Sequence, residues 1–154
     1  MVLCAGFAVQ AAQSAVPEDT CVTASAVSDL REEWVQLTHE ELELMTRVIS
    51  AEARGESFEG QVAVGAVILN RVEHEDFPDS VAEVCTQPGA FCGVSDGQIN
   101  IEPSESCRRA ALAALSGEDP TGGALYFYNP KTAASDWIRS RPVVVIIGAH
   151  WFCI

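Results

Sequence analysis

The stretch 37–72 constrains the fold of this chain more than any other part, because its helical spacing of apolar residues includes one carboxylate. Spacings of three, four and three place four residues on one helical face: Leu42, Met45, Ile49 and Glu52. A helix of a globular domain buries its apolar face against the rest of the protein. Glu52 therefore lies where a carboxylate needs either a partner or a function.

Local signals predict where this helix begins and ends. Thr38 followed three residues later by Glu41 forms a capping box, which fixes the start of a helix. Gly55 ends it, and a second apolar helical pattern follows directly. We predict helices near 39–54 and 58–73.

The predicted position of Glu52, in the last turn of the first helix, suggests a chemical role. The negative end of the helix dipole and partial burial both disfavour the charged carboxylate. A carboxyl group that stays protonated near neutral pH is what a general acid requires. The alternative is a structural ion pair with Arg47, Arg54 or Arg71, and position alone leaves both interpretations open.

Composition limits the class of protein and its partners. The chain has 154 residues, of which 48% are hydrophobic and 20% charged, which suits one globular domain. Its net charge of −13 argues against nucleic acid or an anionic membrane surface as a partner, because both attract Lys and Arg. We expect a monomer that binds no nucleic acid.

The N-terminal segment resembles an export signal. Residues 1–15 contain an apolar run followed by small residues, and we predict a signal peptide there, with a linker or arm at 16–37. The basic start typical of such signals is missing, which a start codon placed too far downstream would explain. The run is too short to span a bilayer, so we expect a periplasmic or secreted protein without stable membrane insertion.

Six cysteines also fit an oxidising compartment. Cys85 and Cys92 flank a short loop and are the predicted disulfide pair. Cys4 would leave with the signal peptide, and an odd set would remain whose pairing the sequence does not decide: Cys21, Cys107 and Cys153. Without a Cys-x-x-Cys motif, and with scattered histidines, no zinc site and no cofactor are predicted.

The remainder of the chain alternates irregular and regular segments. A short helix is predicted near 79–86, a loop at 87–104 that is rich in Gly, Pro, Asp and Asn, and a third long helix near 103–116. Runs of β-forming residues follow at 125–128 and 143–147. Helices followed by a small amount of sheet predict an α+β domain, which we place at 38–154.

Eight short segments stand out in order along 38–154. They are Ala51-Glu52-Ala53-Arg54-Gly55-Glu56, Gly60-Gln61-Val62-Ala63-Val64, Leu69-Asn70-Arg71-Val72, Gln87-Pro88-Gly89-Ala90-Phe91, Ser95-Asp96-Gly97-Gln98, Asp119-Pro120-Thr121-Gly122-Gly123-Ala124, Tyr128-Asn129-Pro130 and Gly148-Ala149-His150-Trp151-Phe152. Together they resemble the SleB/CwlJ-type cell wall hydrolases, the spore-cortex-lytic family. The resemblance implies a lysozyme-like α+β fold that cleaves peptidoglycan glycan strands between N-acetylmuramic acid and N-acetylglucosamine. It also implies that the catalytic acid is Glu52, in agreement with the helical spacing.

Two reaction outcomes follow from the resemblance. A lytic transglycosylase uses one glutamate as acid and then as base, and it leaves a 1,6-anhydro-muramic end. A water-using muramidase is the alternative, and it normally needs a second carboxylate. Three residues in predicted loops could supply it: Asp96, Glu102 and Asp136. Glu56 is separated from Glu52 by the helix-breaking Gly55, and we interpret it as structural.

A cleft for sugars needs flat apolar surfaces and polar groups at their edges. The predicted substrate-binding residues are Phe91, Gln98, Tyr126, Tyr128, Asn129 and Trp137. Strand alternation places Tyr126 and Tyr128 on one face and Phe127 on the other, which favours Phe127 for the core and the tyrosines for the cleft.

Two rival functions of other classes remain. A cysteine peptidase would use Cys85 or Cys92 with His150 as its base, although neither cysteine opens a clear helix. A non-catalytic module would bind peptidoglycan without cutting it. Peptidoglycan is the expected partner in either case, and the sequence does not identify a regulatory protein.

Overall fold

The structure, a computed structural model, describes residues 37–154. This range contains six α-helices, a short 3-10 helix and three strands. The helices are α1 His39–Ala53, α2 Phe58–Val72, α3 Val81–Thr86, α4 Cys92–Ser95, α5 Glu105–Leu115 and α6 Asp136–Arg139, with the 3-10 helix at Gln98–Asn100. The strands are β1 Tyr126–Tyr128, β2 Val143–Ile147 and β3 His150–Cys153. The predicted signal peptide, the linker before Leu37, Cys4 and Cys21 lie outside the described residues.

Local capping sets the starts of the long helices, and at α1 it is the capping box that the sequence predicts. The Thr38 side chain accepts a hydrogen bond from the Glu41 amide, and Glu41 reaches back to the Thr38 amide, which completes the capping box. Ser57 caps α2 by accepting from the Gly60 amide. Ser104 caps α5 in the same way. The predicted helices near 39–54, 58–73, 79–86 and 103–116 are therefore confirmed to within about two residues.

Helix α2 is central to the core and packs between α1 and α5. Its residues from Gly60 to Leu69 are all buried. A Cβ added to Gly65 would lie 3.0 Å from the Cβ of Ala114 and 3.1 Å from the Cδ1 of Ile49, so the absence of a side chain lets the three helices approach closely. This packing fixes the position of the C-terminal turn of α1.

A small antiparallel sheet completes the α+β fold. Its strand order is β1-β3-β2, with β3 in the centre. The hairpin between β2 and β3 turns at Gly148, which has a φ of +58°. The structure adds two short helices, α4 and α6, in segments that the sequence indicates only as loops.

The predicted Cys85–Cys92 disulfide is wrong, because both thiols are free. Cys85 faces the core from α3, whereas Cys92 lies exposed at the start of α4, so the two side chains occupy different environments. Cys107 and Cys153 are free and buried as well. None of the helices between residues 37 and 154 has the length and apolar run that crossing a membrane requires.

Candidate active site

Glu52 projects from the last turn of α1 and is partly buried. Its Oε1 accepts a 2.7 Å hydrogen bond from the backbone amide of Gly93, near the start of α4. Because that donor belongs to the backbone, its own position is set by the fold and does not depend on a side-chain rotamer. The helical face predicted to carry Glu52 is confirmed, since Met45 and Ile49 on the same face are fully buried.

The close approach of α4 to α1 depends on Gly93 having no side chain. A Cβ at this position would lie 2.5 Å from the Cβ of Ala51 and 3.2 Å from the Oε1 of Glu52. Both distances are shorter than ordinary van der Waals contact. Gly93 is therefore required for the amide to reach Glu52.

The surroundings of Glu52 favour its protonated form. Partial burial is the largest influence and raises the pKa of Glu52, and the negative charge of Asp96 raises this pKa further. The Gly93 amide and the positive charge of Arg71 act in the opposite direction but do not outweigh burial. The net effect is a carboxyl group that can carry a proton at a higher pH than an exposed glutamate.

The structure does not support the alternative role of Glu52 as a member of a structural ion pair. Arg47 pairs with Glu43, at 3.0 Å, and with Glu102. Arg54 donates to the hydroxyl of Ser50. In the described range 37–154, no basic group lies within ion-pair distance of Glu52.

Arg71 projects from α2 and is 5% exposed. Its Nε donates a 2.7 Å hydrogen bond to the backbone carbonyl of Leu125, just before β1. Its guanidinium carbon lies 5.0 to 5.5 Å from the centres of three aromatic rings, Phe91, Phe77 and Tyr126. Arg71 thereby connects the helical part of the domain to the sheet.

An aromatic surface continues outward from Arg71. The rings of Tyr126 and Trp137 meet edge to face, with centres 5.2 Å apart. The guanidinium carbon of Arg141 lies 4.7 Å from the centre of each ring. Trp137 is 55% exposed, so this cluster offers a flat apolar surface to solvent.

The structure separates the predicted substrate-binding aromatics into exposed and packed residues. Phe91 is only 2% exposed and packs near Phe127, which contacts the core as expected. Tyr128 is 8% exposed and packs near Trp151. Of the predicted aromatic residues, Tyr126 and Trp137 thus form the accessible cluster, while Phe91 and Tyr128 are buried.

The two predicted amides make local contacts. The Nε2 of Gln98 donates to Asp96 at 3.4 Å, and Gln98 is exposed shortly after helix α4, which carries Gly93. The Oδ1 of Asn129 accepts from the amide of Lys131, a contact that closes the turn after β1. The exposed Gln98 side chain can therefore exchange its contact with Asp96 for one with a ligand, whereas the Asn129 side chain stabilises the turn.

The other carboxylates have distinct environments. Asp96 is near enough to raise the pKa of Glu52. Glu102 is engaged by Arg47 and Arg108, and Asp136 is exposed at the start of α6. Glu56 accepts a 3.1 Å hydrogen bond from the amide of Ala149 in the β2–β3 hairpin. The structural role predicted for Glu56 thus consists of holding that hairpin.

Among residues 37–154, no cysteine and histidine form a nucleophile–base pair. His150 packs edge to face against Phe127, with ring centres 5.2 Å apart, and burial lowers its pKa. Burial is also the main reason that the pKa of Cys92 is raised, which disfavours the reactive thiolate. The geometry therefore does not favour the cysteine peptidase.

Three residues of the site were not predicted as such from the sequence. Gly93 and Arg141 gave no signal, because their roles depend on contacts with distant segments. The sequence indicates Arg71 only as an ion-pair partner. A basic residue within the apolar pattern of α2 nevertheless signals a buried charge.

Helices packed against a small sheet, with a partly buried glutamate at a helix end, define an α+β domain of the lysozyme-like class. The chain belongs to the Cell Wall Hydrolase family, whose model matches residues 55–153. Glu52 precedes the matched segment by three residues.

Comparison with individual proteins agrees with this family. The chain is 54% identical over 113 residues to the spore cortex-lytic enzyme of Halalkalibacterium halodurans, covering 73% of this chain and 34% of that enzyme. It is 29% identical to the cell wall hydrolase CwlJ of Bacillus subtilis, covering 77% and 87% of the two chains. The chain thus spans only about a third of the length of the first enzyme.

Two solved structures are similar to the described domain. The catalytic domain of the Bacillus cereus SleB protein superposes with a TM-score of 0.73 at 48% identity, covering 77% of this chain and 93% of that one. The catalytic domain of the germination-specific lytic transglycosylase SleB from Bacillus anthracis gives the same TM-score at 47% identity, covering 77% and 97%. These similarities confirm the fold class predicted from the sequence.

Proposed function

We propose that this protein cleaves the glycan strands of peptidoglycan, with Glu52 as the catalytic acid. The observation that carries the proposal is the partly buried Glu52 carboxyl, held by the Gly93 amide in surroundings that raise its pKa. Membership of the Cell Wall Hydrolase family supports the choice of substrate. The exposed Tyr126–Trp137 cluster supports a carbohydrate ligand, because pyranose faces stack on aromatic rings.

Of the two reaction outcomes, we favour lytic transglycosylation. The protonated Glu52 would donate its proton to the glycosidic oxygen as the bond to the muramic acid carbon breaks. The resulting carboxylate would then remove the proton from the 6-hydroxyl of the same sugar, whose oxygen closes the 1,6-anhydro ring. Proton and charge balance without water, and the name of the Bacillus anthracis relative supports this chemistry.

A water-using muramidase is the second candidate, and the position of Asp96 favours it. Asp96 is the carboxylate whose charge raises the pKa of Glu52, so it is close enough to be considered as the second catalytic group. It would activate a water molecule in place of the sugar hydroxyl. The two reactions therefore differ in their products, with anhydro ends for the first and reducing ends for the second.

The decisive experiment compares Glu52→Gln with the same change four residues later, Glu56→Gln. Purified sacculi are incubated with each variant, and the released muropeptides are identified by mass spectrometry. We expect Glu52→Gln to abolish release and Glu56→Gln to retain it, because a glutamine oxygen can still accept from the Ala149 amide. Release by a folded Glu52→Gln variant would refute the assignment of the acid, and binding to sacculi without cleavage by the wild type would indicate a binding module.

A cell wall substrate also requires export, and we propose that the protein acts in the periplasm or outside the cell. The apolar segment 1–15 supports this location. Fusion of residues 1–36 to a phosphatase that is active only outside the cytoplasm tests it. An inactive fusion that accumulates in the cytoplasm would contradict the predicted signal.

A further inference from the structure

Arg71 is a buried cation without a carboxylate partner. It is 5% exposed, and among residues 37–154 no carboxylate lies within ion-pair distance of its guanidinium. Burying an unpaired charge is costly, and buried arginines are normally neutralised by an ion pair. Stability alone does not explain an arginine here, because an apolar side chain on α2 would avoid that cost.

The groups that do hold Arg71 come from three separate segments. Phe77 follows α2, Phe91 precedes α4 and Tyr126 begins β1, and the guanidinium lies among all three rings. The Leu125 carbonyl accepts from Nε and adds a fixed direction to these contacts. Together with the Asn70 side chain, which donates to the Ala124 carbonyl, Arg71 thus ties the start of β1, and with it Tyr126, to helix α2.

Arg71 also interacts with Glu52 electrostatically without touching it. Burial raises the pKa of Glu52, and the positive charge of Arg71 opposes this rise. Burial lowers the pKa of Arg71, and the negative charge of Glu52 opposes that fall. A direct ion pair would hold Glu52 ionised and remove it as an acid. Since the two side chains form no ion pair, the cation moderates the effect of burial and leaves the carboxyl able to take up a proton.

We propose that Arg71 is a positioning residue, which fixes the aromatic side of the cleft relative to Glu52 and places a buried positive charge on that side. The proposal rests on the proposed role of Glu52. Arg71 would make two separable contributions. The first is its planar guanidinium, which contacts the Leu125 carbonyl and the three rings. The second is its positive charge.

Two variants separate these contributions. Arg71→Lys keeps a positive charge but loses the planar fork and its stacking. Arg71→Met keeps an apolar stem of similar length and loses the charge. Other titratable groups face Glu52 or Arg71 and stay unchanged in both variants: Cys85, Cys92, Asp96 and Tyr126.

We expect Arg71→Lys to lower kcat/KM for muropeptide release by about tenfold or more, since a displacement of about 1 Å in a cleft can cost far more than that. Its Glu52 should titrate as in the wild type. In Arg71→Met the pKa of Glu52 should rise, so that the loss of activity at high pH moves to higher pH. The measurements are kcat and KM across pH, and a carbon-13 NMR titration of the Glu52 carboxyl, assigned with Glu52→Gln.

The outcomes distinguish the proposal from a purely structural role. A folded Arg71→Met protein with an unmoved Glu52 titration and an unmoved pH profile would overturn it, and so would an Arg71→Lys protein with wild-type kcat/KM. If Arg71→Met does not fold, as judged by near-ultraviolet circular dichroism, the result for Arg71→Lys decides. The NMR titration does not depend on enzymatic activity. Failure of the proposed function would therefore be seen separately, as muropeptide release by the Glu52→Gln variant.

Discussion

The amide of Gly93 donates to the carboxyl of Glu52 across 41 positions of the chain, and this contact joins α4 to the end of α1. The contact exists only because residue 93 has no side chain. A Cβ there would meet the Cβ of Ala51 at 2.5 Å. The geometry of the proposed acid is thus controlled by a glycine on another helix.

Gly93→Ala should therefore damage the site more than the fold. The added methyl group must push α4 away from α1, which we expect to cost about 1–3 kcal/mol of unfolding free energy. Loss of the amide contact should lower kcat by roughly 100-fold, because the acid is no longer held in place. Urea unfolding and muropeptide release measure the two effects.

Gly55→Ala is the matched control for this variant. A Cβ on Gly55 meets nothing within 4 Å, although Gly55 lies only three residues from Glu52. We expect activity within about twofold of the wild type, since nothing is displaced. Equal loss of activity in Gly55→Ala and Gly93→Ala would show that the Gly93 contact has no special role.

The raised pKa of Glu52 predicts a stability that depends on pH. A carboxyl whose pKa is higher in the folded than in the unfolded protein favours folding fully at low pH, and this contribution disappears as pH rises from the unfolded value near 4.5 through the folded value. Glu52→Gln cannot lose a proton. We therefore expect it to melt at a higher temperature than the wild type near pH 7 and at the same temperature well below pH 4.5.

Thermal melts of both proteins over a series of pH values test this expectation. The difference between their melting temperatures should grow as pH rises above 4.5 and then become constant. A wild type that is more stable than Glu52→Gln at pH 7 would mean that the ionised carboxylate is stabilised in the fold. That result would argue for the structural role of Glu52 instead of the acid.

The helical part of the site was predictable because its signals are local. The spacing that placed Glu52 on the buried face of α1 and the cap at Thr38 depend only on neighbouring residues. Gly93 and Arg71 acquire their roles from contacts that span 41 and 54 positions, which no local pattern encodes. Arg141 likewise binds two rings that only the fold brings together.

The aromatic residues show the same limit. Strand alternation places Tyr126 and Phe127 on opposite faces, and the half-buried Phe127 packs against the core. It could not show that Tyr128, on the same face as Tyr126, packs near Trp151. Phe91 follows a loop, where no period exists, and its burial beside Arg71 is a tertiary property.

Trp137 and Phe91 should consequently respond differently to truncation. Trp137→Ala removes an exposed ring, so the unfolding free energy should change by less than about 0.5 kcal/mol. If the ring binds a sugar, KM should rise by about tenfold, equivalent to about 1.4 kcal/mol. Phe91→Ala empties a buried site and should cost about 3–5 kcal/mol of stability.

Denaturant unfolding together with kcat and KM on solubilised glycan strands separates these effects. Val144→Ala is the control, because Val144 is exposed on the edge strand β2 and makes none of the ring contacts of the cluster. A Trp137→Ala protein with unchanged KM would remove Trp137 from the proposed cleft. An unchanged stability in Phe91→Ala would contradict its place in the core.

Cys92 allows the cysteine peptidase to be tested directly. Burial raises the pKa of Cys85 to about 12, and Cys107 and Cys153 are buried too, whereas Cys92 is exposed. We expect iodoacetamide to label Cys92 before any other cysteine of the described range in the native protein, as peptide mass mapping can show. Because Cys92 adjoins Gly93 and carries a thiol whose pKa responds to the charge of Glu52, the label should obstruct the cleft and inhibit release. Cys92→Ala should retain wild-type release and resist this inhibition, while loss of activity in Cys92→Ala would revive the peptidase.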